Sequence, residues 1–556
     1  MPRDDPSVTT VRLVARLPHG DRASDGRMRA AATAALGETD DAGRPWRVEP
    51  LFPDGAQGRL ADYWVVSGAA PSIVAYDASR TAYDLAARLA AVTGDVVEPD
   101  LPSSAYGVEP PPVAPELGAD GTPSALAGPG CSGTHLPESD PRTWALDAVG
   151  ARAAWAVAPP ADGRSKGEGA VVASIDTGYT DHPEVAGMFD LTRDWDALTG
   201  DDDARDPLER PWYMPFNTPG HGTHTASVIA SREARTIVGV APGCTVVPIR
   251  AVKSVVQVFD SDVARAVEVA RQRGAHVITM SLGGRGFIGL QDAIRAAVAD
   301  GIIVMAAAGN KVGVVVAPAS YPECLAVAAT NAQGRPWVES SRGSMVDLAA
   351  PGESVWAASV DSTTNPPTFR ECRGHGTSFA VACLAGVAAL WVAHHGHETI
   401  VARYGRGNVQ AAFLTLLRSH GHYVPPGWDA ASLGVGIVDA HGLLAAGLPE
   451  LGDLDAVTAR AAADGAVGRL QSVLADEGRD QVRAQVATLM GVADPDIEGL
   501  PQTAVSELVY RIGEDDELRA TLRAGTEPEA GLLGPRPDGR TLLARTCSRA
   551  LREWGR

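Results

Sequence analysis

Three short runs carry side chains that could do chemistry together. Ser378 lies in Gly376-Thr377-Ser378-Phe379-Ala380, and His221 in Gly220-His221-Gly222-Thr223-His224-Thr225. Asp176 closes Val171-Val172-Ala173-Ser174-Ile175-Asp176, just ahead of Thr177-Gly178. A serine hydroxyl is a poor nucleophile near neutral pH. It needs a base within hydrogen-bond reach, and the base needs a third group to fix its tautomer and stabilise its charge. Ser378 as nucleophile, His221 as general base and then general acid, and Asp176 as orienting carboxylate would supply that set. Each run alone has a blander reading. Asp-Thr-Gly is usually a turn, Gly-Thr-Ser is a common loop, and His224, three residues after His221, could complete a metal-ligand pair. What sets them apart is their joint occurrence in the order Asp, His, Ser, each flanked by Gly and Thr.

That order and those flanks resemble the subtilisin-like serine proteases, the subtilases, whose triad follows one of three unrelated chain orders. The resemblance extends to Ala306-Ala307-Ala308-Gly309-Asn310, which is similar to the segment that places an asparagine amide in the oxyanion hole. It implies Asn310 and the backbone N–H of Ser378 as the two donors. Ser281-Leu282-Gly283-Gly284 resembles the family's edge strand, on which an extended peptide pairs; glycine there lets a second backbone come close. With Ala308 and Gly309 it is the expected substrate-binding surface. The implied reaction is hydrolysis of peptide bonds in protein substrates through an acyl-enzyme, with no metal in the site. His224 then reads as a structural helix residue. Three departures stand out. Ala382 and Cys383 replace the usual Pro and the frequent His after the nucleophile, and Thr279 stands where Asn is common. Val316-Ala317-Pro318, near the specificity pocket, carries no charge, so cleavage is expected after an apolar or small residue.

These residues must be held by an α/β framework. Val171–Ile175, Thr245–Ile249, Val277–Met280 and Ile302–Ala306 are nearly continuous apolar runs, as expected of parallel strands covered on both faces. Val263–Arg273 and Leu290–Ala299 supply helices between them. The fold class expected is a subtilisin-like, mainly parallel sheet flanked by helices. The catalytic domain is expected over 139–448, from Trp144-Ala145-Leu146-Asp147 to Gly434-Val435-Gly436-Ile437-Val438-Asp439-Ala440.

Ahead of it, residues 1–100 alternate strand-like and helix-like segments. Thr9 to Leu17 has the period of two of a half-buried strand. Arg27–Leu36 is Ala-rich, Trp46–Phe52 and Asp62–Ser67 read as strands, and Thr81–Val92 has helical spacing that Gly94 stops. Asp95-Val96-Val97-Glu98 makes a last strand. The order β-α-β-β-α-β is ferredoxin-like. Subtilase propeptides share it, so an inhibitory or chaperone-like domain is expected, with a generic α+β domain as the alternative. Residues 101–138, rich in Pro, Gly, Ser and Ala, read as an exposed linker suited to nicking. After Leu451 the chain turns charged and Ala/Leu-rich. Helices are expected over Asp453–Leu474, Arg479–Leu489, Thr503–Ile512 and Glu517–Leu522, a small helical domain over 452–556 that could bind a partner or self-associate.

Composition narrows the partners. With 556 residues the chain exceeds one core, and its net charge of −20 speaks against nucleic acid or an anionic membrane. No stretch is expected to approach the apolar length that spans a bilayer. Met1-Pro2-Arg3-Asp4-Asp5-Pro6 leads into no apolar run with a cleavage site, and the six scattered cysteines suit reduced thiols. A cytoplasmic enzyme is the expectation. Cys372 and Cys383 bracket the nucleophile and read as buried and inert, with a thiol switch as the alternative. Asp201-Asp202-Asp203 with Asp206 could bind calcium but lacks regular ligand spacing, so a solvated charge run and no cofactor are expected.

Overall fold

The structure is a computed structural model describing residues 10–17, 24–52, 55–69, 75–101, 103–104, 141–209, 218–255, 257–311 and 314–454, and parts of 469–551. The expected linker and most of the helix expected over 453–474 lie outside the described residues, as do most of Glu517–Leu522.

The N-terminal segments form β1 (Thr10–Arg16), α1 (Ser24–Leu36), β2 (Arg47–Pro50), β3 (Tyr63–Ala69), α2 (Ala75–Thr93) and β4 (Val97–Pro99). Their antiparallel sheet has the order β2-β3-β1-β4. Both helices start earlier than their apolar spacing suggested; the first turn of α1, Ser24-Asp25-Gly26-Arg27, is polar and carries no repeat to read. Leu13, Ala15, Val48 and Val66 face the helices, meeting Met28 and Leu89. The opposite parity of the same strands, Val14, Tyr63 and Val65, joins a second core with the neighbouring α/β unit. A strand read as half-buried is therefore covered on both faces.

The α/β unit is built on a sheet of β5 (Val171–Asp176), β6 (Trp195–Asp196), β7 (Thr245–Arg250), β8 (Val277–Met280), β9 (Ile303–Ala307), β10 (Leu325–Thr330) and β11 (Leu348–Pro351). An antiparallel hairpin follows, β12 (Val355–Asp361) with β13 (Thr368–Gly374), and then β14 (His422–Tyr423) and β15 (Ile437–Val438) close the sheet. Its order is β14-β15-β11-β10-β9-β8-β5-β7-β6, parallel except for β14 at one edge. The expected strands are all present. Helices α3 (His221–Ala230), α4 (Asp260–Gln272), α5 (Ile288–Ala299), α6 (Thr377–His395) and α7 (Val409–Ser419) cover the two faces.

α6 corrects one expectation, since it is long and apolar enough to cross a membrane. All of it is buried, and a helix apolar on every side belongs in a core when the fold surrounds it. A second correction concerns Cys372, which is half-buried and disulfide-bonded rather than a buried inert thiol. It lies on the half-buried strand β13, outside the apolar core. The argument from reduced thiols to a cytoplasmic location loses its premise there. After the α/β unit come α8 (Arg479–Met490) and α9 (Gln502–Glu514), close to two of the expected helices.

Candidate active site

Asp176 ends β5, and the pairing of Met280 with both Ile175 and Ala306 sets three strand ends side by side. The runs that leave β8 and β9, Ser281–Gly284 and Ala308–Asn310, thus emerge at the carboxyl edge of a parallel sheet, where such folds place their sites. The Asp176 carboxylate is 1% exposed. It accepts the Thr177 N–H at 2.7 Å and the Thr225 hydroxyl at 3.2 Å. It also lies 2.8 and 3.0 Å from His221 Nδ1. A carboxylate only accepts, so Nδ1 is the donor to it, and in the neutral ring that tautomer leaves the lone pair on Nε2.

Glycines make this approach possible. Gly178 has φ +101°, and a Cβ there would run into the carbonyl of Ala204. A Cβ on Gly222 would run into the carbonyl of Gly178, so the strand end and the first turn of α3 touch backbone to backbone. Thr177 Oγ1 accepts the Gly222 N–H at 3.1 Å across the same contact. Asp206, 7% exposed, accepts the N–H of Gly220 at 2.7 Å and of Leu208 at 2.8 Å. It thereby fixes the turn from which His221 starts.

Ser378 is the second residue of α6, after the N-cap Gly376 with φ +146°. Its side chain is nearly buried, and its hydroxyl donates to the Ser281 carbonyl at 3.2 Å. In this conformation no hydrogen bond joins it to His221 Nε2. Asn310 Oδ1 accepts both the N–H and the hydroxyl of Thr377, at 2.9 and 3.0 Å. Thr377 Oγ1 in turn accepts the Gly309 N–H at 3.1 Å. With its oxygen so engaged, the amide turns Nδ2 toward the Gly376 backbone, where a Cβ would lie 3.4 Å away. The first-turn N–H of Ser378 is one of the helix's unpaired donors.

Residues 167–415 match the subtilase family, peptidase S8. Thermitase from Thermoactinomyces vulgaris is 34% identical over 238 residues, 42% of this chain and 78% of thermitase. The chain belongs to the subtilase family. An extracellular protease of Xanthomonas campestris is 32% identical over 322 residues, and the matched part is about half of each protein, 52% of this chain and 53% of the other. Fervidolysin from Fervidobacterium pennivorans, at 21% identity and a TM-score of 0.54 over 80% of this chain and 62% of that one, shares the fold. This subtilase is accordingly a hydrolase of the serine-protease kind.

Within it, the expected substrate surface is not a strand of its own. β8 stops at Met280, and Ser281–Gly284 continues as extended chain whose Gly284 bridges Ala317 at 2.8 and 3.2 Å. Between Gly283 and Gly309 stands Val316, 2% exposed. A Cβ on Gly283 would overlap its Cγ2, and one on Gly309 would lie 3.1 and 3.2 Å from its two methyls. Leu282 is buried beneath.

Other expectations sort by environment. His224 is buried and held neutral, its pKa lowered to about 3 by desolvation and then by His221, His182 and Arg370. Among the described residues no three His, Cys, Asp or Glu stand together as metal ligands. Asp201 and Asp203 accept backbone amides of their own loop, and Asp206 is the positioning group above rather than a loop ligand. Cys383 is fully buried, five positions after Ser378 in α6, its pKa pushed up to about 12 by burial. Asp206, Thr225 and Thr377 were absent from the expected site. The Gly and Thr flanks were visible in the sequence, but which hydroxyl serves which oxygen is a tertiary fact.

The N-terminal domain meets this edge. α4 and α5 begin after Phe259 and Phe287, which offer no capping side chain. Glu98 Oε2 accepts the Ile288 N–H at 2.9 Å, and Asp100 accepts the Ser261 N–H at 3.4 Å and its hydroxyl at 2.6 Å. Two carboxylates from the end of β4 thus cap two helices of another domain. Beyond them Ser103–Ser104 pair antiparallel with Gln257–Val258.

Proposed function

We propose that this subtilase is a serine endopeptidase working through Asp176, His221 and Ser378. The observation that carries the reading is the Asp176–His221 hydrogen bond, set at the same sheet edge as a serine at a helix start and an asparagine whose amide is oriented toward it. An extended peptide pairing along Ser281–Gly284 takes the Ser281 carbonyl for its own N–H. That frees Ser378 Oγ to turn to His221 Nε2. The imidazole removes the hydroxyl proton as Oγ attacks the peptide carbonyl, and Asp176 stabilises the imidazolium. The oxyanion meets Asn310 Nδ2 and the Ser378 N–H. His221 then protonates the leaving amine, and water, deprotonated by the same ring, releases the acyl group from Ser378.

Val316 supports a narrow preference: its isopropyl group fills the space between Gly283 and Gly309, so the residue before the cut is small. The N-terminal domain serves as inhibitor and folding aid, a reading supported by the Glu98 and Asp100 caps and by the pairing of Ser103–Ser104 beside the substrate run. Labelling of purified chain by a fluorophosphonate tests the first claim, with Ser378→Ala as control. No labelling, with or without residues 1–138, would sink it. N-terminal sequencing of the same sample tests processing between about residues 100 and 138.

A further inference from the structure

We propose that the C-terminal helices are a latch that holds the N-terminal domain on the protease. Its consequence for activity rests on the reading of that domain as an inhibitor. α9 lies against α2 and β4. Thr503 Oγ1 donates to the Val97 carbonyl at 2.6 Å, and Arg511 Nη1 to Ser79 Oγ at 2.9 Å. The Tyr83 hydroxyl donates to the Ser506 carbonyl at 3.2 Å, with the Tyr83 and Tyr510 rings edge to face at 5.6 Å.

The same helices also grip the protease. The Arg285 guanidinium, next to Gly284, stacks 4.2 Å over the Tyr510 ring. Val314 and Val316, from the wall of the substrate run, are buried in one apolar cluster with Leu470, Leu474, Leu500 and Leu508. That cluster draws its last members from the catalytic domain.

Glu98 joins all three parts. One of its oxygens caps α5 of the protease, and the other takes Arg469 Nη2 at 2.8 Å. Arg469 Nη1 reaches on to Gln502 at 3.1 Å. The pair is nearly buried, with side chains 16% and 2% exposed, so withdrawing Arg469 leaves a carboxylate without its cation in a dry interface. Cutting the linker therefore does not free the N-terminal domain. It stays while the latch stays, and whatever displaces α9 opens the substrate edge. This assigns Arg469 and α9 an internal partner, on the surface that an outside adaptor would otherwise use.

The test uses the full chain with Ser378→Ala, so that self-cleavage plays no part, and a site-specific protease sequence inserted between residues 110 and 120. After cutting, retention of the N-terminal domain is followed by size exclusion and its release rate by dilution. The parent is expected to keep the domain, and Arg469→Ala/Thr503→Val/Tyr510→Ala to release it at least about tenfold faster, since each lost buried contact is worth severalfold. Tyr510→Phe, which keeps the ring, should match the parent. Equal release from parent and triple variant overturns the latch. Should the triple variant not fold, Thr503→Val alone removes one hydrogen bond at constant shape and must release about fivefold faster; parent-like release by it overturns the proposal equally. Because Ser378 is absent throughout, a failed fluorophosphonate test of the wild-type chain would refute the protease reading and leave this result standing.

Discussion

Asn310 presents a donor because Thr377 consumes its acceptor. With Oδ1 held by the Thr377 N–H and hydroxyl, a flip of the amide would break two hydrogen bonds. The donor is thus in place before charge develops, which is the condition for strong transition-state stabilisation. Asn310→Ala should lower kcat by about 10²–10³-fold with KM nearly unchanged, measured on any peptide the wild type cuts. A change mainly in KM would mean that Asn310 binds substrate rather than the oxyanion. Val316 makes the opposite kind of prediction. Val316→Gly removes the isopropyl group between Gly283 and Gly309, so a peptide library should show the residue before the cut shifting from small to large apolar, with one to three extra methylenes each worth about 1–3 kcal/mol. An unchanged profile would place specificity elsewhere. The four proposed catalytic positions could be picked out in the sequence because each sits in a run whose flanks answer to backbone geometry, as Gly178 and Gly222 do by touching. Asp206 was not, because in a run of acids nothing local marks which carboxylate turns inward to hold Gly220.

Among elements, the informative case is a pair of helices that cannot cap themselves. α4 and α5 follow Phe259 and Phe287, and their first amides look to Asp100 and Glu98 from a strand some 160 to 190 positions earlier. A carboxylate at a helix N-terminus answers both the unpaired N–H groups and the positive end of the helix. Loss of such a cap costs about 0.5–2 kcal/mol. In a Ser378→Ala background Asp100→Ala and Glu98→Ala should therefore each lower the unfolding free energy of the joined domains, from urea melts, by at least that amount, since Asp100 also pairs with Arg12 and Glu98 with Arg469. An unchanged unfolding free energy in either variant would mean that its carboxylate does not hold the junction. The strands were legible because their apolar runs are continuous, and the two-sided burial of the N-terminal sheet was not. Val14 and Leu13 are both apolar, but only the docked neighbour explains why both must be.

At the scale of the whole molecule, two parts converge on one buried acid. Asp260 starts α4, and its Oδ2 accepts the Gly286 N–H at 3.0 Å. Its pKa is raised to about 7, first by burial and then by Asp100, with Glu98 adding and Arg285 and the Gly286 hydrogen bond opposing. An unfolded aspartate titrates near 4. A raised acid pKa means that the assembled state holds the proton more tightly than the open one. The contribution of Asp260 to assembly is then fully present below about pH 4 and is lost as pH rises through about 7. Both the N-terminal domain and the protease supply the groups involved, so the effect falls on their junction. Asp260→Asn keeps the acceptor for Gly286 and removes the charge. In urea melts of the Ser378→Ala chain it should be more stable than its parent at pH 8, by on the order of 1–3 kcal/mol, and lose that advantage on going down to pH 4. A difference that is the same at both pH values would mean that the carboxyl does not titrate across this window, and that the junction is held without regard to its proton.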